Sequence, residues 1–173
     1  SWLINPAGKI CAEYVKAHLF DVDVADNTRA YRESATTLAG EQVVTYTGAI
    51  GHIGMAICYD LRFSALFNAM SAKKPLDVIV LPAAFTYTTG KAHWHSLLAA
   101  RAIEYQSYVV AANQGGVHVN GRETFGHTVI YSPWGERITY IEQGCGWISC
   151  LLDHEAQEHI RQAIPMAQHR KVF

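Results

Sequence analysis

The chain has 173 residues, half of them hydrophobic, and 14 lysines and arginines stand against 15 aspartates and glutamates, for a formal net charge of -1 at pH 7. Such a length and apolar fraction build one globular domain with a sizeable core, and the balanced charge offers no footprint for nucleic acid or an anionic membrane surface. The longest apolar runs, such as Asp77 to Phe85 (DVIVLPAAF), fall far short of the roughly 20 residues that span a bilayer.

Read in chain order, short β-rich runs alternate with a few helical ones. Trp2 to Asn5 and Lys9 to Tyr14 flank Pro6-Ala7-Gly8, a fixed φ followed by a permissive glycine, and predict a hairpin. The polar segment from Phe20 to Gly40, rich in Asp, Thr and Arg, reads as a long surface loop, a length that often carries function. Val43 to Tyr46 and His52 to Ile57 predict a second hairpin. Apolar residues at 61, 65, 66, 69 and 70 give a helix with one buried face, stopped by Pro75. Val78 to Leu81 has the composition of a strand covered on both faces. Trp94, Leu97, Leu98, Ala102 and Ile103 stripe the next helix, and Tyr108 to Ala112 form the next strand. This strand, helix, strand, helix, strand order over 52 to 112 predicts a layered α/β domain. Strands at Thr128 to Tyr131, Arg137 to Tyr140 and Gly146 to Leu151 follow, with a turn at Pro133-Trp134-Gly135. A helix over about His154 to Ile164 ends before Pro165.

Four cysteines (Cys11, Cys58, Cys145, Cys150) are too few and too irregular for a disulfide framework. Their usage suits a reducing, cytoplasmic setting. The chain opens Ser-Trp-Leu-Ile-Asn, without Met, so a natural start further upstream is expected and targeting signals stay open.

Cys58 stands where a strand ends and a helix is about to begin, in "GHIGMAICYDLRF" (51 to 63). Open α/β sheets place ligands at that edge, and a helix start favours a thiolate. On position alone two readings stand, a nucleophile or a small buried hydrophobe. A nucleophilic thiolate needs a base or a cation beside it. None of the nine histidines carries a local signature for that role. Lys16, at the end of a strand and followed by Leu19-Phe20, is another candidate, although a lone lysine there is ordinarily solvated.

Ordered blocks across nearly the whole chain decide between these readings. Tyr14-x-Lys16-x-His18-Leu19-Phe20-Asp21, Tyr31-Arg32-Glu33-Ser34 and Gly54-x-x-Ile57-Cys58-Tyr59-Asp60-x-Arg62-Phe63 resemble successive motifs of the nitrilase, or carbon-nitrogen hydrolase, superfamily. So do Pro82-Ala83-Ala84-Phe85-Thr86, Gly90-x-Ala92-His93-Trp94, Arg101-Ala102-Ile103-Glu104, Gly126-His127 and Pro133-Trp134-Gly135. The resemblance implies a four-layer α-β-β-α sandwich, incomplete at the N-terminus, and a Glu-Lys-Cys triad that hydrolyses non-peptide C-N bonds. Cys58 would attack an amide carbonyl to give a thioester and ammonia, and water would then release the acid. Lys16 and the backbone N-H of Tyr59 would stabilise the oxyanion. Glu33 would position Lys16, and Phe85 and Thr86 with Tyr59 would contact substrate. The family's first glutamate, its general base, would lie upstream of Ser1, so residues 1-173 read as a single hydrolase domain lacking roughly its N-terminal third. Ser64-Ala65 and His95 depart from the family's Pro-Glu after the cysteine motif and its Glu after His-Trp.

The stretches Val109 to His118, Arg122 to His127 and Gln168-His169-Arg170 are more similar to the deaminated-glutathione amidase branch than to the ω-amidase branch, whose substrate is α-ketoglutaramate. From another class comes an inactive fragment that serves as a binding or assembly module. The reading calls for no cofactor and no metal, a small-molecule amide as partner, and a homodimer or higher homo-oligomer. His93-x-His95 lacks a third ligand at metal spacing, and a helix would turn its two rings apart. Cys145 and Cys150 would face opposite sides of one strand. Gly116 to Glu123 has phosphate-loop glycine spacing without the Lys-Ser/Thr end and reads as a turn around Asn120-Gly121.

Overall fold

The computed structural model describes residues 1-26 and 30-171. Strands β1 (Trp2–Ile4) and β2 (Ile10–Glu13) pair as the expected hairpin. Asn5 shapes its turn, Oδ1 accepting from the N-H groups of Ala7 and Lys9 at 3.0 and 2.9 Å. The polar segment expected as a loop instead carries a ribbon, β3 (Asp21–Asp23) antiparallel to β4 (Ala30–Arg32), followed by a 3-10 turn at Glu33–Ala35. Charged residues on short, two-sided strands hid it, and one such pair, Arg32 Nη2 to Asp23 Oδ1 at 2.8 Å, joins the two strands. Residues 27-29 of that expected loop lie outside the described residues.

The second hairpin, β5 (Thr45–Gly48) and β6 (Gly51–Met55), is present. A 3-10 turn at Cys58–Arg62 runs into α1 (Ser64–Ser71), which ends short of Pro75. Then β7 (Val78–Ala83), α2 (Tyr87–Tyr105) and β8 (Tyr108–Asn113) complete the predicted alternation. β6, β7 and β8 are parallel neighbours, as strands joined by helical crossovers must be. β9 (Gly115–Val117) and β10 (Glu123–Phe125) form a ribbon around the Asn120-Gly121 turn. β11 (Thr128–Tyr131) and β12 (Arg137–Ile141) extend the main sheet in antiparallel sense. Its order is β12-β11-β8-β7-β6-β5. The α/β class holds, and this sheet with its packed helices forms the layers that the described residues supply.

The core lies between the sheet and α1 and α2. Val78, Ile79 and Leu81 of β7 are buried on alternate and adjacent positions, which fits a central strand covered on both faces. α2 buries Trp94, Leu98, Ala102 and Tyr105, spaced at helical intervals. Ile103, expected in that stripe, is 49% exposed because it points around the helix from Ala102. Thr86 caps the helix, its hydroxyl accepting from Thr89 N-H at 3.3 Å, and Gln106 ends it in the left-handed region at φ 49°.

α3 (His154–Ala163) starts from Asp153, whose carboxylate accepts from Ala156 N-H at 2.9 Å, and α4 (Met166–His169) follows Pro165. Polar groups dock α3: the fully buried Gln157 donates to the carbonyls of Asp77 and Gln106 at 3.0 and 2.9 Å. Arg161 reaches Asp77 Oδ1 at 3.0 Å and Leu76 O at 2.7 Å. The strand expected over Gly146 to Leu151 does not form. Among the described residues no neighbour offers it a ladder, and Trp147 and Leu151 stand 84% and 93% exposed. No helix among the described residues is long and apolar enough to cross a membrane.

α2 approaches the β9-β10 ribbon most closely at Gly90, where an added Cβ would lie 2.3 Å from Phe125 Cβ. Gly90→Ala is expected to destabilise the fold by about 1-3 kcal/mol, despite alanine's better helix propensity, because the ribbon must move. A shift of the urea midpoint to lower concentration checks it.

Candidate active site

The chain from Met55 to Asp60 turns sharply at Cys58, whose φ of 49° is unusual for a residue with a side chain. The turn is held from inside. Asp60, completely buried, folds back so that Oδ2 accepts from Ile57 N-H at 2.9 Å. The same oxygen accepts from the buried Tyr14 hydroxyl at 2.8 Å. Oδ1 accepts from His18 backbone N-H at 3.0 Å and lies 2.8 Å from His18 Nδ1. The His18 ring stacks on Phe63 with centroids 3.8 Å apart. One carboxylate thus fastens the cysteine turn to the segment that bears Lys16. Burial first, and the Asp60 hydrogen bond and charge second, hold the Tyr14 hydroxyl above its ordinary pKa, so it stays a donor.

Lys16 is itself buried, and its Nζ is paired with Glu33 Oε2. The same carboxylate oxygen accepts from Phe20 N-H at 2.7 Å, which ties Glu33 to the chain leaving Lys16. Lys16, Glu33, Cys58 and Tyr59 line one cleft of about 1050 Å³. Phe85 and Thr86 line it too. Phe85 packs on Trp94 with ring centroids 4.7 Å apart, and its N-H donates to Asn113 Oδ1 at 3.0 Å. Asn113 also donates to Gly126 O at 2.6 Å, so one amide ties the end of β8 both to Phe85 and to the chain that follows β10. The Thr86 hydroxyl is committed to capping α2. The six residues singled out from the sequence therefore come together around one space.

Burial pushes the Cys58 thiol above its ordinary value; the N-H of Ala84 and the charges of Lys16 and Arg122 pull the other way, and Glu33 opposes them. This is opposite to the direction expected from a helix start. The five-residue 3-10 turn is too short to supply much of a dipole, and the positive charge of Lys16 is offset by Glu33.

Asp60 and Arg122 were missed as site residues. Asp60 sits inside the quoted cysteine motif, and that adjacency is the available signal; Arg122 opens the branch-like stretch that runs to His127, but only the folded ribbon brings it to the cleft. Of the histidines in His93-x-His95, His93 faces Arg62 at 3.3 Å, while His95 meets His127 at 3.2 Å and Tyr131 at 2.9 Å. They diverge as a helix requires. Among the described residues no cluster of three or more His, Cys, Asp or Glu could hold a metal ion.

An α/β sheet with a cysteine on a strained turn at its edge, beside a buried lysine paired with a half-buried glutamate, defines a hydrolase-like class. The carbon-nitrogen hydrolase profile matches residues 1-157, and the chain belongs to that family. It is 42% identical over 170 residues to a deaminated glutathione amidase of Synechocystis, across 97% of this chain and 62% of that protein. A deaminated glutathione amidase of Yersinia enterocolitica is 40% identical, across 99% and 59%. Among solved structures, Saccharomyces cerevisiae Nit3, a member of branch 10 of the nitrilase superfamily, superposes with a TM-score of 0.82 at 31% identity, covering 96% of this chain and 58% of that one. The Caenorhabditis elegans NitFhit protein superposes with a TM-score of 0.83 at 34% identity, across 98% and 41%. The chain thus spans about three-fifths of the length of the curated relatives it matches.

Asp60→Asn turns one acceptor oxygen into a donor, yet both oxygens face two donors each. Whichever way the amide points, it meets a clash of hydrogens, and a loss of at least about 2 kcal/mol in urea unfolding is expected. Alkylation of Cys58 by iodoacetamide, mapped by mass spectrometry, is expected to keep accelerating beyond about pH 8.5, the ordinary thiol value, because burial delays the thiolate. A rate already flat at neutral pH would show the opposite shift.

Proposed function

We propose that this chain carries the nucleophile, the cation and the positioning glutamate of an amidase that works through a thioester on Cys58. Deaminated glutathione is the substrate. The observation that carries the reading is the placing of Cys58, with its unusual φ of 49°, in the same cleft as the buried Lys16 and its partner Glu33. The curated relatives named deaminated glutathione amidase, at 36% to 42% identity, support the substrate.

The reading assigns the steps as follows. Since burial favours the protonated thiol, attack needs a base to remove the proton, and the reading assigns this to a glutamate upstream of Ser1. The sulfur adds to the amide carbonyl, a C-S bond forms and the π electrons move to oxygen. Lys16 Nζ and the N-H of Tyr59 stabilise that oxyanion. As the carbonyl re-forms, the C-N bond breaks, and the amine leaves with the proton that the base took from sulfur. Water then adds to the thioester and releases the acid and the free thiol. Glu33 acts as a positioning residue: it holds Lys16 where the oxyanion develops, and its bond to Phe20 N-H fixes its own place.

In the full-length protein, Lys16→Met is expected to lower kcat/KM by about 10²- to 10³-fold, the usual cost of one oxyanion donor, with most of the loss in kcat. Wild type is expected to hydrolyse deaminated glutathione with a higher kcat/KM than α-ketoglutaramate, measured as release of amine and ammonia respectively. Near-normal turnover by Lys16→Met would remove the lysine from the mechanism, and the reverse preference would favour the ω-amidase reading.

A further inference from the structure

Two histidines meet behind the wall of the cleft, and the hydrolytic steps use neither. His95 belongs to α2 and His127 follows β10, and Nε2 of the first lies 3.2 Å from Nδ1 of the second. On its other side, His95 Nδ1 lies 2.9 Å from the hydroxyl of Tyr131 on β11. The His127 ring stacks on Phe125, with centroids 4.0 Å apart and planes 6° from parallel. Phe125 in turn rests against Gly90 of α2, and its N-H donates to Phe85 O at 3.0 Å.

The backbone of His127 is left-handed, at φ 58°, a conformation that persists only where neighbours enforce it. Trp94 Nε1 donates to its carbonyl at 2.8 Å, and its N-H donates to Glu142 O at 3.0 Å. The residues on either side of it both hold Asn113: Gly126 O accepts from the side-chain amide at 2.6 Å, and the Thr128 hydroxyl accepts from the backbone N-H at 3.0 Å. Asn113, Phe85 and Thr128 line the cleft, as do Gly115, His118 and Arg122 of the β9-β10 ribbon. The histidine pair therefore joins that wall to α2.

A hydrogen bond between two imidazoles needs a lone pair on one of the facing nitrogens. It forms when both rings are neutral and when either one carries an extra proton. With both charged, two N-H groups face each other and the bond gives way to repulsion. Of the charged groups around the pair, Glu142 favours protonation and Arg137 of β12 opposes it, and neither histidine forms an ion pair with a carboxylate among the described residues. Burial keeps Tyr131 a hydroxyl, able to donate to His95 or accept from it. Burial also lowers both histidines below their ordinary value, and the charge of His127 lowers His95 further. A parted pair would return towards the ordinary value of about 6.5. Parting thus takes up protons: the bond is kept above that pH and is given up as pH falls below it.

We propose that His95 and His127 are positioning residues that latch the ribbon wall of the cleft to α2, closed while at most one ring is protonated and released when both are. The latch shapes the space that receives substrate, so its release raises KM. That effect on turnover rests on the amidase reading, whereas the latch itself does not.

Hydrogen exchange and turnover test it on the full-length protein. In wild type, peptides covering residues 115 to 127 are expected to exchange about 3- to 10-fold faster at about pH 5 than at about pH 7.5 after correction for the intrinsic rate, the worth of one hydrogen bond, while peptides over β7 keep their rate. His95→Gln gains no proton, and its amide bonds either form of His127. His95→Glu offers a carboxylate to the protonated ring. In both variants the acid-induced rise is expected to be under about twofold. KM for deaminated glutathione should rise with acid by about 3- to 10-fold in wild type and under about twofold in the variants, whereas the acid fall of kcat, set by the base, should be common to all three. Ribbon exchange in wild type that ignores pH, an equal rise over β7, a rise that persists in a folded variant, or a KM that stays flat while the ribbon loosens would each overturn the proposal. Ribbon exchange that follows the expected pattern without turnover of any amide would leave the latch standing and remove the amidase reading instead.

Discussion

The carboxylate of Asp60 is the constraint on which the site depends. It is completely buried and offers two oxygens to four donors from three places in the chain: Tyr14, His18 and Ile57. A buried carboxylate is costly unless it is satisfied in this way, and satisfaction requires all three segments to be in register. The turn that exposes Cys58 and the segment that carries Lys16 therefore cannot move independently. A shift of one would leave an unpaired charge in the core. The left-handed backbone of Cys58 is tolerable because Asp60 holds the turn across it, so the bonds that offset the strain are the same ones that place Cys58 in the cleft.

Around that anchor the polar groups divide into two sets. Glu33 and Lys16 satisfy each other, and Phe20 N-H occupies the glutamate further, so their contribution is position more than net charge. Arg122 lines the cleft with no carboxylate partner among the described residues, its Nη2 donating to Ala84 O. Burial holds the Cys58 thiol above its ordinary value, and the nearby charges of Lys16 and Arg122 only partly oppose it.

Local patterns carried much of this into the sequence. Both hairpins, the three parallel strands, the helix over His154–Ala163 and the turn at Asn120-Gly121 follow from alternation, helical spacing and turn residues, whereas the short α4 beyond Pro165 does not. Cys58, Lys16 and Glu33 stood out through ordered motifs. The misses have separate physical origins. The β3-β4 ribbon is made of charged strands whose pairing no hydrophobic alternation announces. Gly146 to Leu151 has strand composition but finds no adjacent backbone among the described residues. Ile103 looked like part of a stripe because it follows Ala102, whereas the buried face runs on to Tyr105. The direction of the Cys58 shift is set by burial, which a motif does not display.

The cleft's parts arrive from across the chain, with Cys58, Ala84, Asn113 and Arg122 each from a different stretch around the central strands. Asp60 bonds across 42 to 46 positions, and Arg122 reaches back 38 to Ala84. Contacts of that separation form late, after the entropy of closing long loops has been overcome. Helices and hairpins can therefore exist in a collapsing chain while the cysteine is still an ordinary thiol without its lysine. The shared cleft of Cys58, Lys16 and Glu33 is therefore among the last features this chain acquires, after the local elements that frame it.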